Sequence, residues 1–139
     1  MSTVDIKRHI LDQLSQVISS LGMETPLLKL DQSKRPEIGD FSCGVALSLT
    51  KEAKKPPIEL AEEIRNCLNL DSNICSKTTI SKPGFLNFRL SPDYLRHQLE
   101  VISSESSEYG KTGIGAGLKA QVEFVSANPT GPLTVGHGR

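Results

Sequence analysis

No run of apolar residues in this sequence approaches the roughly 18 needed to cross a bilayer, although 37% of its 139 residues are hydrophobic. The N-terminal stretch "MSTVDIKRHILDQ" has no apolar h-region and no small-residue cleavage site, so it does not read as a signal peptide. Cysteine is scarce. Cys43, Cys67 and Cys75 are widely spaced, odd in number and form no C-x-x-C pair. That favours three reduced thiols over zinc or a disulfide framework. No protein-bound metal is expected. Charge of one sign is also missing, because 16 basic and 16 acidic residues cancel. A neutral chain is not a bulk polyanion binder, so any nucleic-acid contact must be local. Together these absences describe a cytoplasmic protein with no membrane partner.

What is present is ordered along the chain. Ile6, Ile10, Leu11, Leu14, Val17, Ile18 and Leu21 recur at helical spacing, with Ser2 or Thr3 as N-cap and Gly22 as terminator. "PLLKLD" predicts a short strand and "QSKRPEIG" a loop. "GDFSCGVALSLTKEAKK" predicts a helix capped by Asp40 or Ser42, ending in the cluster Lys51, Lys54 and Lys55, which reads as a solvated helix end. "PPIELAEEIRNCLNL" predicts another helix, with Pro57 in its first turn. "NICSKTTISKPGFLNFRLS" predicts two strands joined at Pro83-Gly84, and Ser91 caps a helix over "PDYLRHQLEVISSES". Then "YGKTGIGAGLKA" reads as a linker, and "QVEFV" as a strand buried on both faces of a parallel sheet.

The expected fold class is therefore α+β: helices packed on a small antiparallel sheet over residues 1–110. A linker follows at 111–120. Residues 121–139 read as the first strand and loop of a second, Rossmann-like α/β domain.

Two places carry candidate chemistry. In "PGFLNFRLS" the strand period puts Leu86, Phe88 and Leu90 on one face, towards a core. Phe85, Asn87 and Arg89 share the other face, with Lys82 nearby. A ring, an amide and a guanidinium side by side suit one unpaired base. The pattern equally fits a half-exposed strand with an incidental phenylalanine. The second place is "VEFVSANPTGPLTVGHGR". A strand, a loop rich in proline and glycine and a helix start form a phosphate-cradle order, in which Gly136 and Gly138 allow close backbone approach. His137 stands between them, positioned to donate to a phosphate as charge develops. Glu123 is an acid in an otherwise apolar strand, either facing solvent at the strand end or awaiting a cation.

The string "ANPTGPLTVGHGR" resembles the signature loop of class I aminoacyl-tRNA synthetases, most closely that of arginyl-tRNA synthetases. "GDFS", "AEEI" and "PGFLNF" resemble, in order, the N-terminal additional domain of that family, so the resemblance covers essentially the whole chain. One departure stands out: Thr134 occupies the first histidine of the H-I-G-H tetrapeptide. A hydroxyl still donates to a phosphate but carries no positive charge. The resemblance implies an arginine–tRNA ligase that uses ATP with Mg2+ as substrate and takes arginine and tRNA(Arg) as partners. It implies catalytic roles for His137 and Thr134, and ATP binding by Thr134, Gly136 and His137. Arginine binding falls to Glu123 and Asn128, and tRNA D-loop contact to Lys82, Phe85, Asn87 and Arg89. A monomer is expected. The chain itself reads as the N-terminal part of such an enzyme, inactive alone. A free-standing RNA-binding module, or a small nucleotidyltransferase using T-x-G-H, are the alternative readings.

Overall fold

A computed structural model describes residues 6–111, 113, 115–123, 125, 128 and 130–138. The backbone groups into two compact units, Met1–Tyr109 and Gly110–Arg139.

In the first unit, helix α1 (Ile6–Ser20) forms as its spacing predicts and buries Ile10, Leu14, Val17 and Ile18. It closes at Gly22, where the Gly22 N–H donates to Ser19 O and the Met23 N–H to Ile18 O, satisfying the last carbonyls. The proposed caps Ser2 and Thr3 lie outside the described residues. The expected strand at "PLLKLD" is much shorter: only Asp31–Gln32 pairs, as β1. Leu30 and part of Leu28 turn inward without joining a ladder, while Leu27 points to solvent.

The helix expected from Gly39 onward is corrected more substantially. Phe41–Cys43 is a strand, β2, running antiparallel to the centre of the later hairpin. Asp40 caps no helix; its carboxylate accepts from the Leu90 N–H at 2.8 Å. Ser42 instead bonds across the sheet. Helix begins only after Gly44, as two single turns, α2 (Val45–Ser48) and α3 (Thr50–Ala53). Three residues are too few to show a period of two, and the helical stretch that follows masked them.

Helix α4 (Pro57–Cys67) buries Leu60, Ala61 and Ile64. β3 (Cys75–Ser81) and β4 (Phe85–Leu90) form the expected hairpin around Pro83-Gly84. Gly84 is held at φ 155, and a Cβ there would lie 2.8 Å from Pro57, so this turn seats on the start of α4 only without a side chain. The sheet order is β1-β2-β4-β3, antiparallel throughout. Leu86 and Phe88 on β4 are fully buried, and with Cys43 they pack against α1, α2 and α4 in one core. Helices α2 and α4 are in contact with β4, and α4 also with β3. Helix α5 (Pro92–Glu105) follows, with the Ser91 hydroxyl accepting from the Asp93 N–H at 3.1 Å as predicted. Among the described residues, no helix is long and apolar enough to cross a membrane.

The second unit differs from expectation. Gln121–Glu123 and Val125 form no strand, and Val122 is 69% exposed. A strand destined for the middle of a parallel sheet needs neighbours on both edges and cover on both faces, and the described residues supply neither. Among the described residues its regular structure is one short 3-10 turn, Val135–Gly138.

Candidate nucleic-acid interface

The face of the sheet opposite Leu86 and Phe88 is where the predicted residues of the hairpin come together. Asn87, Thr79 and Ser42 align across β4, β3 and β2, since Ser42 and Thr79 both stand opposite Asn87. The loop 33–39 folds over this face. Three contacts hold it there. The Arg89 guanidinium donates through Nη2 to Pro36 O and Glu37 O, both at 2.8 Å. The Thr79 hydroxyl donates to Ile38 O at 3.4 Å. The Ser33 N–H donates to Asp40 O at 2.9 Å, closing the loop at its base. Gly39, at φ 154, lets the loop pass the hairpin, because a Cβ there would sit 2.9 Å from Phe88 O.

Between loop and hairpin lies a recess of about 720 Å3. Ser42, Ser81 and Asn87 make its floor, Phe85 one wall, and Lys34, Arg35 and Lys82 its cationic rim. Lys34, Arg35 and Lys82 are exposed, and none has an ion pair among the described residues. Asp31 is an acid on the same wall. Three unneutralised cations around an aromatic ring and hydroxyls make an anion-attracting recess with a stacking surface.

The four hairpin residues singled out in the sequence have different situations here. Phe85 is 36% exposed, with ring atoms close to Gly44. Lys82 sits in the turn, exposed. Asn87 is only 1% exposed. Its Nδ2 donates to Ser81 Oγ at 3.0 Å and to Phe85 O at 3.3 Å, and its Oδ1 accepts from Ser42 Oγ at 3.0 Å. Its donors are therefore engaged inside the sheet, and the acceptor oxygen retains one lone pair. The network fixes the residues on either side of the recess. Arg89 is half-buried, and its Nη2 holds the loop that bears Lys34 and Arg35. Lys34, Arg35, Ser42 and Ser81 were missed by sequence reasoning. The adjacent "KR" inside "QSKRPEIG" was the available signal, but nothing local says that this loop returns to β4.

The terminal residues are spread along the second unit. Glu123 and Asn128 are exposed, and Asn128 O accepts from the Thr130 N–H at 2.8 Å. Thr134 precedes the 3-10 turn containing Gly136 and His137, and its Oγ1 lies 3.6 Å from where a Gly136 Cβ would be. The side chain of His137 lies outside the described residues. No cluster of metal-ligating side chains occurs among the described residues. Burial pushes the Cys43 and Cys75 thiols above their ordinary value of 9.0, which keeps both protonated and inert near neutrality.

Residues 5–90 match the family profile "Arginyl tRNA synthetase N terminal domain". The arginine–tRNA ligase of Prosthecochloris aestuarii is 42% identical over 135 residues, covering 96% of this chain and 24% of that protein. That of Geotalea daltonii is 45% identical over 116 residues, covering 84% and 21% respectively. Among solved structures, Thermus thermophilus arginyl-tRNA synthetase superposes with a TM-score of 0.58 at 26% identity, over 66% of this chain and 15% of that one. The Plasmodium falciparum enzyme, at 19% identity and a TM-score of 0.60 over 68% of this chain and 17% of that one, shares the fold. The chain belongs to the arginyl-tRNA synthetase family, and it spans about a quarter of the length of the curated relatives it matches.

Proposed function

We propose that these residues are the tRNA-contacting domain and the start of the catalytic domain of an arginine–tRNA ligase. Residues 1–110 form the first, 111–120 link them, and 121–139 begin a Rossmann-like α/β domain. The observation that carries the RNA-contacting role is the recess walled by Phe85 and rimmed by Lys34, Arg35 and Lys82. An unpaired D-loop base of tRNA(Arg) stacks on Phe85. The three cations take adjoining phosphates, which position the strand without reading its sequence. Asn87 and Arg89 shape the site: the first ties β2, β3 and β4 together beneath it, the second holds the loop over it.

In the whole enzyme, Glu123 and Asn128 hold arginine, and Thr134, Gly136 and His137 bind ATP, which arrives with Mg2+. The arginine carboxylate attacks the α-phosphorus, and pyrophosphate leaves. The hydroxyl at the tRNA 3′ end then attacks the arginyl carbonyl, and AMP leaves. His137 and Thr134 stabilise charge on the α-phosphate during the first step. The enzyme acts as a cytoplasmic monomer. Support for this half of the proposal is the family membership and the match of "ANPTGPLTVGHGR".

Salt dependence of tRNA binding tests the interface. Replacing Lys34, Arg35 and Lys82 by Gln in the full-length protein should weaken binding of tRNA(Arg). It should also flatten the plot of log affinity against log salt by about 0.7–0.9 for each lost phosphate contact. An unchanged affinity and slope would remove these cations from the interface.

A further inference from the structure

A second recess, of about 320 Å3, is also lined by Phe85. We infer that it is a second nucleobase subsite, taking the nucleotide next to the one held in the larger recess. This rests on the RNA-contacting role proposed above.

The two recesses share a wall, because Phe85 and Asp31 line both. Leu27 and Leu47 supply apolar sides and Lys29 a cationic edge. Leu27 is 86% exposed, a large apolar side chain left uncovered by its own domain. Lys29 is exposed and has no ion pair among the described residues. Gly44 makes room for the ring: a Cβ there would stand 3.0 Å from Phe85 Cε1 and 3.4 Å from Cδ1. Its φ of −95 suits any residue, so glycine serves space here and not backbone conformation. The ring thereby fits against Gly44 and borders both recesses. Consecutive unpaired bases each present a π-face, so an aromatic ring bordering both recesses, with aliphatic side chains lining the second, accommodates a neighbouring pair. The Asp31 carboxylate at the shared wall adds an acceptor for an exocyclic amino group, favouring bases that carry one. Lys29 takes the phosphate that follows.

Binding of the full-length protein to tRNA(Arg) carrying single abasic nucleotides, moved one position at a time through the D-loop, tests this. Leu27→Ala, at an exposed position, should lower affinity for intact tRNA about threefold to tenfold. That loss should vanish when the abasic site is one nucleotide from the position at which the Phe85→Ala loss vanishes. Gly44→Ala should weaken binding of intact tRNA, yet add nothing to Phe85→Ala. If Phe85→Ala couples to a position but Leu27→Ala has no effect, or loses the same affinity at every abasic position, the second subsite is wrong. If Phe85→Ala couples to no position, the RNA-contacting role falls, and the subsite with it.

Discussion

The two units of this chain carry comparable amounts of functional signal and very different amounts of packing. Between Ile6 and Tyr109, seventeen hydrophobic residues are buried, with Leu86 and Phe88 at the centre. From Gly110 to Gly136, every described residue is exposed. Yet the second unit holds the most specific string in the sequence. The difference lies in what each set of residues is selected to meet. Hairpin residues meet each other, so their pattern encodes a core that the local chain completes. In the proposed enzyme the residues of the terminal string meet a nucleotide and an amino acid, so their identities encode ligand chemistry and say little about local packing.

The comparison should be sharpest in stability. Leu86→Ala removes a fully buried side chain from the core and should cost about 2–5 kcal/mol in denaturant unfolding of residues 1–110. Val122→Ala in the 139-residue chain should change stability by less than about 0.5 kcal/mol. A comparable cost at both positions would mean that the second unit has a core of its own. For catalysis the contrast reverses. His137→Ala in the full-length enzyme should lower arginine-dependent pyrophosphate exchange about 10²–10³-fold without moving the unfolding midpoint. Thr134→His should leave that exchange nearly unchanged; a large gain would show that threonine disables the loop.

Arg89 separates the two kinds of role within the first unit. Its Nη2 holds the carbonyls of Pro36 and Glu37, so Arg89→Ala should loosen the loop and expose its amides to hydrogen exchange. A variant with unchanged exchange in residues 33–39 but weaker tRNA binding would make Arg89 a direct phosphate contact. The smallest effect is in pH. Folding raises the Cys43 and Cys75 thiols above 9.0, mainly through burial. Their stabilising contribution is complete below that ordinary value and is lost as pH rises through the folded values. Thermal stability should therefore be flat from neutrality to about pH 8.5 and decline above about 9. Cys43→Ala with Cys75→Ala should flatten the decline.

How far the sequence could be read follows the same division. Strand alternation placed Leu86, Phe88 and Leu90 on the core side because six residues give period two room to show. It also placed Phe85, Asn87 and Arg89 on the opposite face, but not the loop lying across that face. Facing away from the core therefore left Asn87 buried and Arg89 engaged. Phe41–Cys43 was hidden because its partners lie more than forty residues away, at Leu86 to Phe88. Local propensity carries no information about such pairing. Lys34 and Arg35 reach the site for the same non-local reason.

At the centre of the proposed interface is the stacking of the Phe85 ring on an unpaired base of the D-loop. Its most direct test is the affinity of full-length wild type and Phe85→Ala for tRNA(Arg), with the contacted D-loop base either present or removed. Stacking of about 1–3 kcal/mol predicts a loss of roughly tenfold or more with the intact loop, and almost none once the base is gone. An equal loss for both RNAs would contradict the claim and leave Phe85 a residue of the sheet alone.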